Sequence, residues 1–349
     1  MAGQPPPRRR TPPVSATATA MATAVVLPIR GLGTLLADCL AALAAQDAPP
    51  AQVVVVDDSP DASLPADRLA ALTAGSPSPV TLLRSGGVGP YAARNIGWLA
   101  TSAPVLLFLD ARSRPRPRWT GTLAAVFDDP AVALTGSEVH VLGGRSLGAR
   151  AAERQQSFRL RNYLDAPDFR PYLPTCNLGV RRSDLEAVGG FREVRSGGDA
   201  DVCWRVLERP GRRLEPVHEE LMDWVPRDSA RDLLEQNYRY GRSSVVLRRD
   251  WAPAGARTWP PVPAGVLARR AGMLGLRLAV AAARRDGDAQ VDLLTRAAQW
   301  SLDYGYRRSY RTPATAATGT AAAGGATAAA AGAAIAATET AAATARVAP

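Results

Sequence analysis

Four short apolar runs mark the first third of the chain: Thr23 to Leu27, Val53 to Val56, Val80 to Leu83 and Val105 to Leu109. None alternates with polar residues, so each predicts a strand buried on both faces rather than one with a wet side. Between the runs lie segments with helical spacing, one from Thr34 to Ala45 and another that follows Gly86, Gly87 and Gly89 and carries Arg94 and Asn95. Strands alternating with helices predict an α/β fold, a mostly parallel sheet with helices on both faces. Ligands of such sheets sit beyond the carboxyl ends of the strands. Asp57, Asp58 and Asp110 fall at those ends, and Arg30 follows the first run.

The pattern changes at both ends of the chain. Residues 1–22 are rich in Pro, Arg and Thr and predict a disordered tail, and residues 312–349 are almost entirely Ala, Thr and Gly, a second disordered tail. Residues 23–250 carry the α/β patterning, and 251–311 read as a Pro-rich connector followed by C-terminal helices. In those helices Arg270, Arg277 and Arg284 recur at intervals of seven beside Leu274 and Leu278. Such a stripe is either the solvated face of a packed helix or a surface that rests on anionic lipid headgroups.

Composition narrows the chemistry. Of 349 residues, 42 are basic and 32 acidic, for a net charge of +10, and every basic residue is Arg. Without Lys there is no Walker-type phosphate loop, no Schiff-base amine and no kinase-type strand lysine. The three Cys (Cys39, Cys176, Cys203) are far apart, and the two His (His140, His218) are too few for a three-histidine zinc site. The N-terminal segment lacks the apolar core of a signal peptide, and Ala271 to Ala283 is too short for a span and contains Arg277. A cytoplasmic protein is expected. The basic charge raises nucleic acid as a partner, but no helix-turn-helix, zinc finger or RNP-like pattern is present, so none is expected.

Acids at one sheet rim beside Arg30 and Arg94 suit a polar, phosphorylated ligand: carboxylates accept from base or ribose, and guanidinium groups bind diphosphate oxygens. The alternative is that strand-end Asp residues only cap turns and helices. A dinucleotide fingerprint fails, because Gly31 and Gly33 are followed by Leu36 where the third Gly belongs.

The order of the pieces resembles the family-2 glycosyltransferases, inverting nucleotide-sugar enzymes of the GT-A fold. The likeness rests on VVLP at 25–28, VVVVDDS at 53–59, YAARNIG at 91–97, FLDARSRP at 108–115, CNLGVRRSDLEAVGGF at 176–191, GDADVCWR at 198–205 and QNYRYGRS at 236–243. It implies a GT-A-like, Rossmann-like domain with a small helical extension, transferring a sugar from a nucleoside diphosphate sugar to a hydroxyl acceptor (a glycan, a lipid-linked molecule or a small molecule). By the same resemblance Asp199 is the base. Pro28, Arg30, Asp57, Asp58, Arg94, Asp110, Arg112, Gln236 and Arg239 face the donor, and Asn177, Asp201 and Arg205 the acceptor. Peripheral contact with a membrane is compatible with a lipid-linked acceptor.

Two positions depart from the family pattern. Gly198 stands where the Glu of an ED pair is usual, and Arg112 where the second acid of DxD ligates a divalent cation. Three readings of Arg112 stand open: Mg²⁺ or Mn²⁺ is still bound through Asp110, the guanidinium replaces the ion as counter-charge, or Arg112 points to solvent in an inactive protein. A non-catalytic nucleotide-sugar or glycan-binding protein on the same fold is the rival reading. Asp201 and Arg205 are also spaced to pair with each other on one helix. Arg114, Arg116 and Arg118 alternate with Pro and either hold an anion or stay solvated. His218 reads as a ligand or a structural residue, and Trp224 as a stacking surface or core.

Overall fold

The computed structural model describes residues 21–31, 33–61, 64–166, 169–194, 196–251 and 259–311. The tail assignments for 1–20 and 312–349, and most of the Pro-rich connector, lie outside the described residues.

The strands are β1 (Thr23–Ile29), β2 (Gln52–Asp57), β3 (Val80–Arg84), β4 (Val105–Leu109), β5 (Ser113–Pro115), β6 (Val132–Val141), β7 (Asn177–Arg181) and β8 (Arg213–Trp224). They form one sheet in the order β3-β2-β1-β4-β7-β6-β8-β5. The first four are parallel neighbours, as the apolar runs predict. Beyond β4 the sheet is mixed: β7 is antiparallel to β4 and β6, β6 and β8 are parallel, and β5 is antiparallel to β8. The expectation of a mostly parallel sheet holds, with four of the seven strand pairings parallel, and the antiparallel ones all involve β7 or β5. The antiparallel turn at β7 brings Asn177 opposite Leu109, so the ends of β4 and β7 border one cleft.

The helices are α1 (Thr34–Ala44), α2 (Ala66–Thr73), α3 (Pro90–Leu99), α4 (Trp119–Val126), α5 (Leu147–Gln155), α6 (Arg161–Leu164), α7 (Arg182–Ala187), α8 (Gly198–Leu207), α9 (Ala230–Asp250), α10 (Ala264–Ala283) and α11 (Gly287–Tyr310). Strand β1 shows why its run is continuously apolar. Val25, Leu27 and Ile29 face a core shared with Leu36 and Leu40 of α1, whereas Ala24 and Val26 face a second core with Trp98 of α3 and Trp204 of α8. Successive side chains of a strand point to opposite faces, and here both faces are dry.

The C-terminal helices are not a loose appendage. Helix α11 lies along α9 and α5, and its Val291, Leu294 and Ala298 complete the first core. Gly241 and Gly305 mark the crossing of α9 and α11: a Cβ on Gly241 would collide with the Leu302 carbonyl, and one on Gly305 with the Tyr238 carbonyl. Gly241 belongs to the QNYRYGRS segment, and its missing side chain is what lets the two backbones touch. Helix α10 packs on α11, and along it Leu267 and Ala281 are buried and Leu274 and Leu278 half-buried. Its outer side exposes Met273, Leu276 and Val280, Leu276 to 69%. Among the described residues no helix is long and apolar enough to cross a membrane.

Candidate active site

A cleft of about 1030 Å³ opens at the carboxyl end of β4 and is walled by α3, α8, α9, the segment after β8 and residues 259–262. Arg94, Asp110, Arg112, Asp199, Gln236 and Arg239 all line it. Six residues singled out across 146 positions of sequence thus meet in one cavity.

Helix α3 opens at Gly89 and Pro90 and delivers Tyr91 and Arg94 on one face, three residues apart. Arg94 is 4% exposed. One of its nitrogens donates to Asp110 Oδ1 at 2.7 Å, another to the Pro90 carbonyl, and its Nε is buried without a partner. Its guanidinium also lies 5.2 Å from the Tyr91 ring centroid. Asp110 caps β4 and is partly open to the cleft, so its carboxylate is neutralised by Arg94 while still reachable.

Asp199 sits in the first turn of α8, where unpaired backbone N–H groups favour a carboxylate. The Ala200 N–H donates to its Oδ1 at 3.1 Å and the Tyr91 hydroxyl to the same oxygen at 3.3 Å. Burial raises its carboxyl above the usual carboxylate range, while those hydrogen bonds and the charge of Arg94 pull it back down. A carboxylate lifted by desolvation at a cleft wall is poised to accept a proton. Tyr91 itself stays a phenol, because burial and the neighbouring Asp199 charge push it well up.

The opposite wall is cationic. Arg112 donates from Nη1 to the Val225 and Pro226 carbonyls at 3.2 and 2.8 Å and packs 5.9 Å from the Trp224 ring. Burial and the nearby Arg227 charge lower its pKa. Arg227 and Arg239 each line the cleft with a buried, unpartnered Nε. Gln236 donates to the Tyr240 hydroxyl at 2.8 Å.

Of the remaining residues singled out in the sequence for the site, Trp224 lines this cleft and the others do not. Asp57 is fully buried and accepts from the Ser59 and Leu64 backbones and from Arg84. Asp58 accepts from Ser85 Oγ and the Gly89 N–H, which fixes the turn into α3. Pro28 and Arg30 lie at the end of β1, Arg30 exposed. Asn177 turns inward, donating to the Ser137 carbonyl and accepting from Trp119 Nε1. Asp201 and Arg205 pair at 2.9 Å, with Arg192 and Trp251 also on Asp201 and the Val188 and Gly190 carbonyls on Arg205. Arg114, Arg116 and Arg118 pair with Asp38, Asp223 and Glu219. His218 is exposed on β8, and Trp224 is buried against Phe158 at the cleft wall.

Sequence reading missed Tyr91, Arg227 and Tyr240. The first and last sit inside segments already singled out, three residues before Arg94 and one after Arg239. Arg227 has no such signal, because it lies in an irregular segment after β8.

Residues 24–189 match the family model Glycosyl transferase family 2. The chain is 35% identical over 166 residues to a pre-mycofactocin glycosyltransferase of Mycobacterium tuberculosis, covering 46% of this chain and 35% of that protein. It thus spans about a third of that relative's length. It is 28% identical over 235 residues to glycosyltransferase AglE of Haloferax volcanii, 66% of this chain and 75% of that one. Among solved structures it is similar to the mannosyltransferase PcManGT from Pyrobaculum calidifontis in complex with GDP-Man and Mn²⁺, with a TM-score of 0.56 at 18% identity, covering 87% of this chain and 91% of that one. At that identity the likeness speaks for a shared GT-A fold.

Proposed function

Residues 24–189 form a glycosyl transferase family 2 domain, and from that premise we propose that the protein transfers a sugar, with inversion, from a nucleoside diphosphate sugar to a hydroxyl acceptor. One observation carries the reading: a single cleft holds a desolvated carboxylate, Asp199, on one wall and arginines on another. Glycosyl transfer needs both. The acceptor oxygen forms a bond to the anomeric carbon, the bond from that carbon to the diphosphate breaks, and the electron pair leaves with the phosphate. The acceptor proton passes to Asp199. Arg94, Arg112 and Arg239 stabilise the charge that grows on the leaving diphosphate, and Asp110 orients Arg94 or meets the ribose.

A divalent cation would need several hard oxygen ligands. Asp110 is already paired with Arg94, and the second acidic position is Arg112. Among the described residues no group of three or more His, Cys, Asp or Glu is placed to hold a metal ion. The side chains at this strand end do not fit Mg²⁺ or Mn²⁺.

Asp57 and Asp58 serve the donor by shaping the loop before α3, and Asn177, Asp201 and Arg205 serve the acceptor side indirectly, by bracing β7 and α8. The outer face of α10 is suited to rest on an anionic bilayer, which would bring a lipid-linked acceptor to the cleft, whose rim includes Trp259 to Val262 just before that helix. Gly198 and Arg112 favour one rival, a protein that binds nucleotide sugar without turning it over.

The deciding experiment is consumption of UDP-, GDP- and dTDP-sugars by the purified protein, with Mn²⁺, with Mg²⁺ and with chelator, beside Asp199→Asn. Turnover that is lost in Asp199→Asn with nucleotide binding retained is expected. Binding without turnover, across an acceptor panel of glycans, polyprenyl phosphates and small alcohols, would establish the rival.

A further inference from the structure

The cleft is unevenly charged: five arginines (Arg94, Arg112, Arg227, Arg239 and Arg248) line it against three aspartates, Asp110, Asp199 and Asp303. Two of those aspartates are already partnered within the protein, Asp110 by Arg94 and Asp303 by Arg270. Three of the arginines, Arg94, Arg227 and Arg239, keep a buried Nε with no hydrogen-bond partner. A buried donor left unpaired bears its full desolvation cost, the more so when it is charged. Arg94, Arg227 and Arg239 thus each carry an unmet donor beside the cavity, and donors of that kind suit an anion.

Arg112 and Arg227 stand apart from the others in origin. Both belong to the wall formed where β5 meets β8, since the Val225 N–H donates to the Arg112 carbonyl while Arg112 Nη1 holds the Val225 and Pro226 carbonyls. That reciprocal tie fixes the guanidinium of Arg112 through one nitrogen and leaves its other nitrogens for a ligand. Arg227 follows Pro226 directly, and its charge is near enough to weigh on Arg112. Two like charges share one wall, with Asp228, Asp232 and Asp110 near enough to act on Arg112.

We infer that Arg112 and Arg227 together occupy the electrostatic place of a divalent cation, binding the diphosphate of the donor in a two-guanidinium clamp, so that nucleotide binding does not depend on a metal. The inference rests on the nucleotide-sugar reading given above. Planar guanidinium groups suit the task, because each presents two parallel donors to phosphate oxygens and keeps its charge at any working pH. The clamp leaves the proton transfer to Asp199 unchanged and bears only on the leaving group. It also accounts for Arg at position 112, where a carboxylate could not donate to the Val225 and Pro226 carbonyls.

The test is calorimetric titration of the full chain with UDP, GDP and dTDP, in EDTA and again in MnCl₂, for the wild type, Arg112→Ala, Arg112→Lys and Arg227→Ala. At least one nucleotide is expected to bind the wild type with the same affinity, within about twofold, in both buffers, and both alanine variants to bind it about tenfold more weakly or worse. Arg112→Lys, which keeps the charge but loses the fork, falls between. Thermal melts without nucleotide establish that each variant is folded, and if Arg112→Ala is not, Arg227→Ala decides. Wild-type binding that EDTA abolishes, or alanine variants that bind like the wild type, would overturn the clamp and leave the transferase reading standing. Failure of all three nucleotides to bind in either buffer would overturn both.

Discussion

The ring of Tyr91 lies against the backbone of Gly198 so closely that a Cβ on that glycine would stand 3.0 Å from three ring carbons, while the Tyr91 hydroxyl donates to Asp199 beside it. The first turns of α3 and α8 are interlocked by this contact. It gives a physical reason for glycine at a position where the resembling family carries Glu: the space is filled by an aromatic ring from elsewhere in the chain.

Gly198→Ala should therefore destabilise the protein by about 1–3 kcal/mol in urea unfolding, although alanine is the better helix former. Tyr91→Ala combined with Gly198→Ala should recover part of that loss. A double-mutant cycle with no coupling between the two positions would contradict the interlock.

Asp199→Asn should lower transfer by about 10²–10⁴ and at the same time raise the melting temperature at neutral pH. The sign follows from burial, which holds the folded carboxyl above its unfolded range. Folding then favours the protonated form, so the contribution is full below the ordinary carboxylate range and is lost as pH rises through the raised value. The stability gain of the variant should shrink steadily as the melts are repeated toward acid.

Tyr91→Phe removes a hydrogen bond that lowers the Asp199 pKa. The acid limb of the kcat/KM profile should shift to higher pH, with the alkaline limb in place. An unshifted acid limb would mean that the phenol does not bear on the base.

Gly241→Ala and Gly305→Ala each place a methyl group on the backbone of the facing helix. Each should cost about 1–3 kcal/mol or more, read as a lower urea midpoint, whereas Gly272→Ala on α10, where nothing lies within 4 Å, should leave it unchanged or raise it.

Helix α10 carries no acid, and of its arginines Arg270 is tied to Asp303. If its outer face meets anionic lipid, the protein should float with phosphatidylglycerol vesicles and not with phosphatidylcholine ones. Arg277→Glu should weaken that by about 1 kcal/mol or more, and Leu276→Asp should abolish it. Equal flotation with both lipids would remove charge from the account.

The parallel half of the sheet was legible because burial on both faces leaves uninterrupted apolar runs such as Val53 to Val56. The other half was not. Strand β8 mixes exposed Glu215 and Glu219 with buried Met222 and Trp224, and β5 is three residues long, so neither shows a period that sequence alone can detect. The site divides in the same way. Asp110 and Arg94 stand at a strand end and in a helix that the pattern predicts, whereas Asp199 is legible through the resemblance alone. Asn177 faces Ser137 and Trp119 because of the antiparallel register of β7, and register is a property of pairing that no local segment contains. Arg227 reaches the cleft only through the course of an irregular segment.

Asn95 receives the Phe191 N–H and donates to the Phe191 carbonyl, so an amide side chain pairs with a backbone 96 positions away as a neighbouring strand would. Closing a loop of that length is entropically unfavourable until many other contacts support it. The tie therefore holds only where the surrounding fold supports it. Arg94 precedes Asn95 by one residue, and Asp199 follows Phe191 by eight. The cleft that holds Arg94 and Asp199 is therefore a property of the assembled fold, carried by neither segment alone.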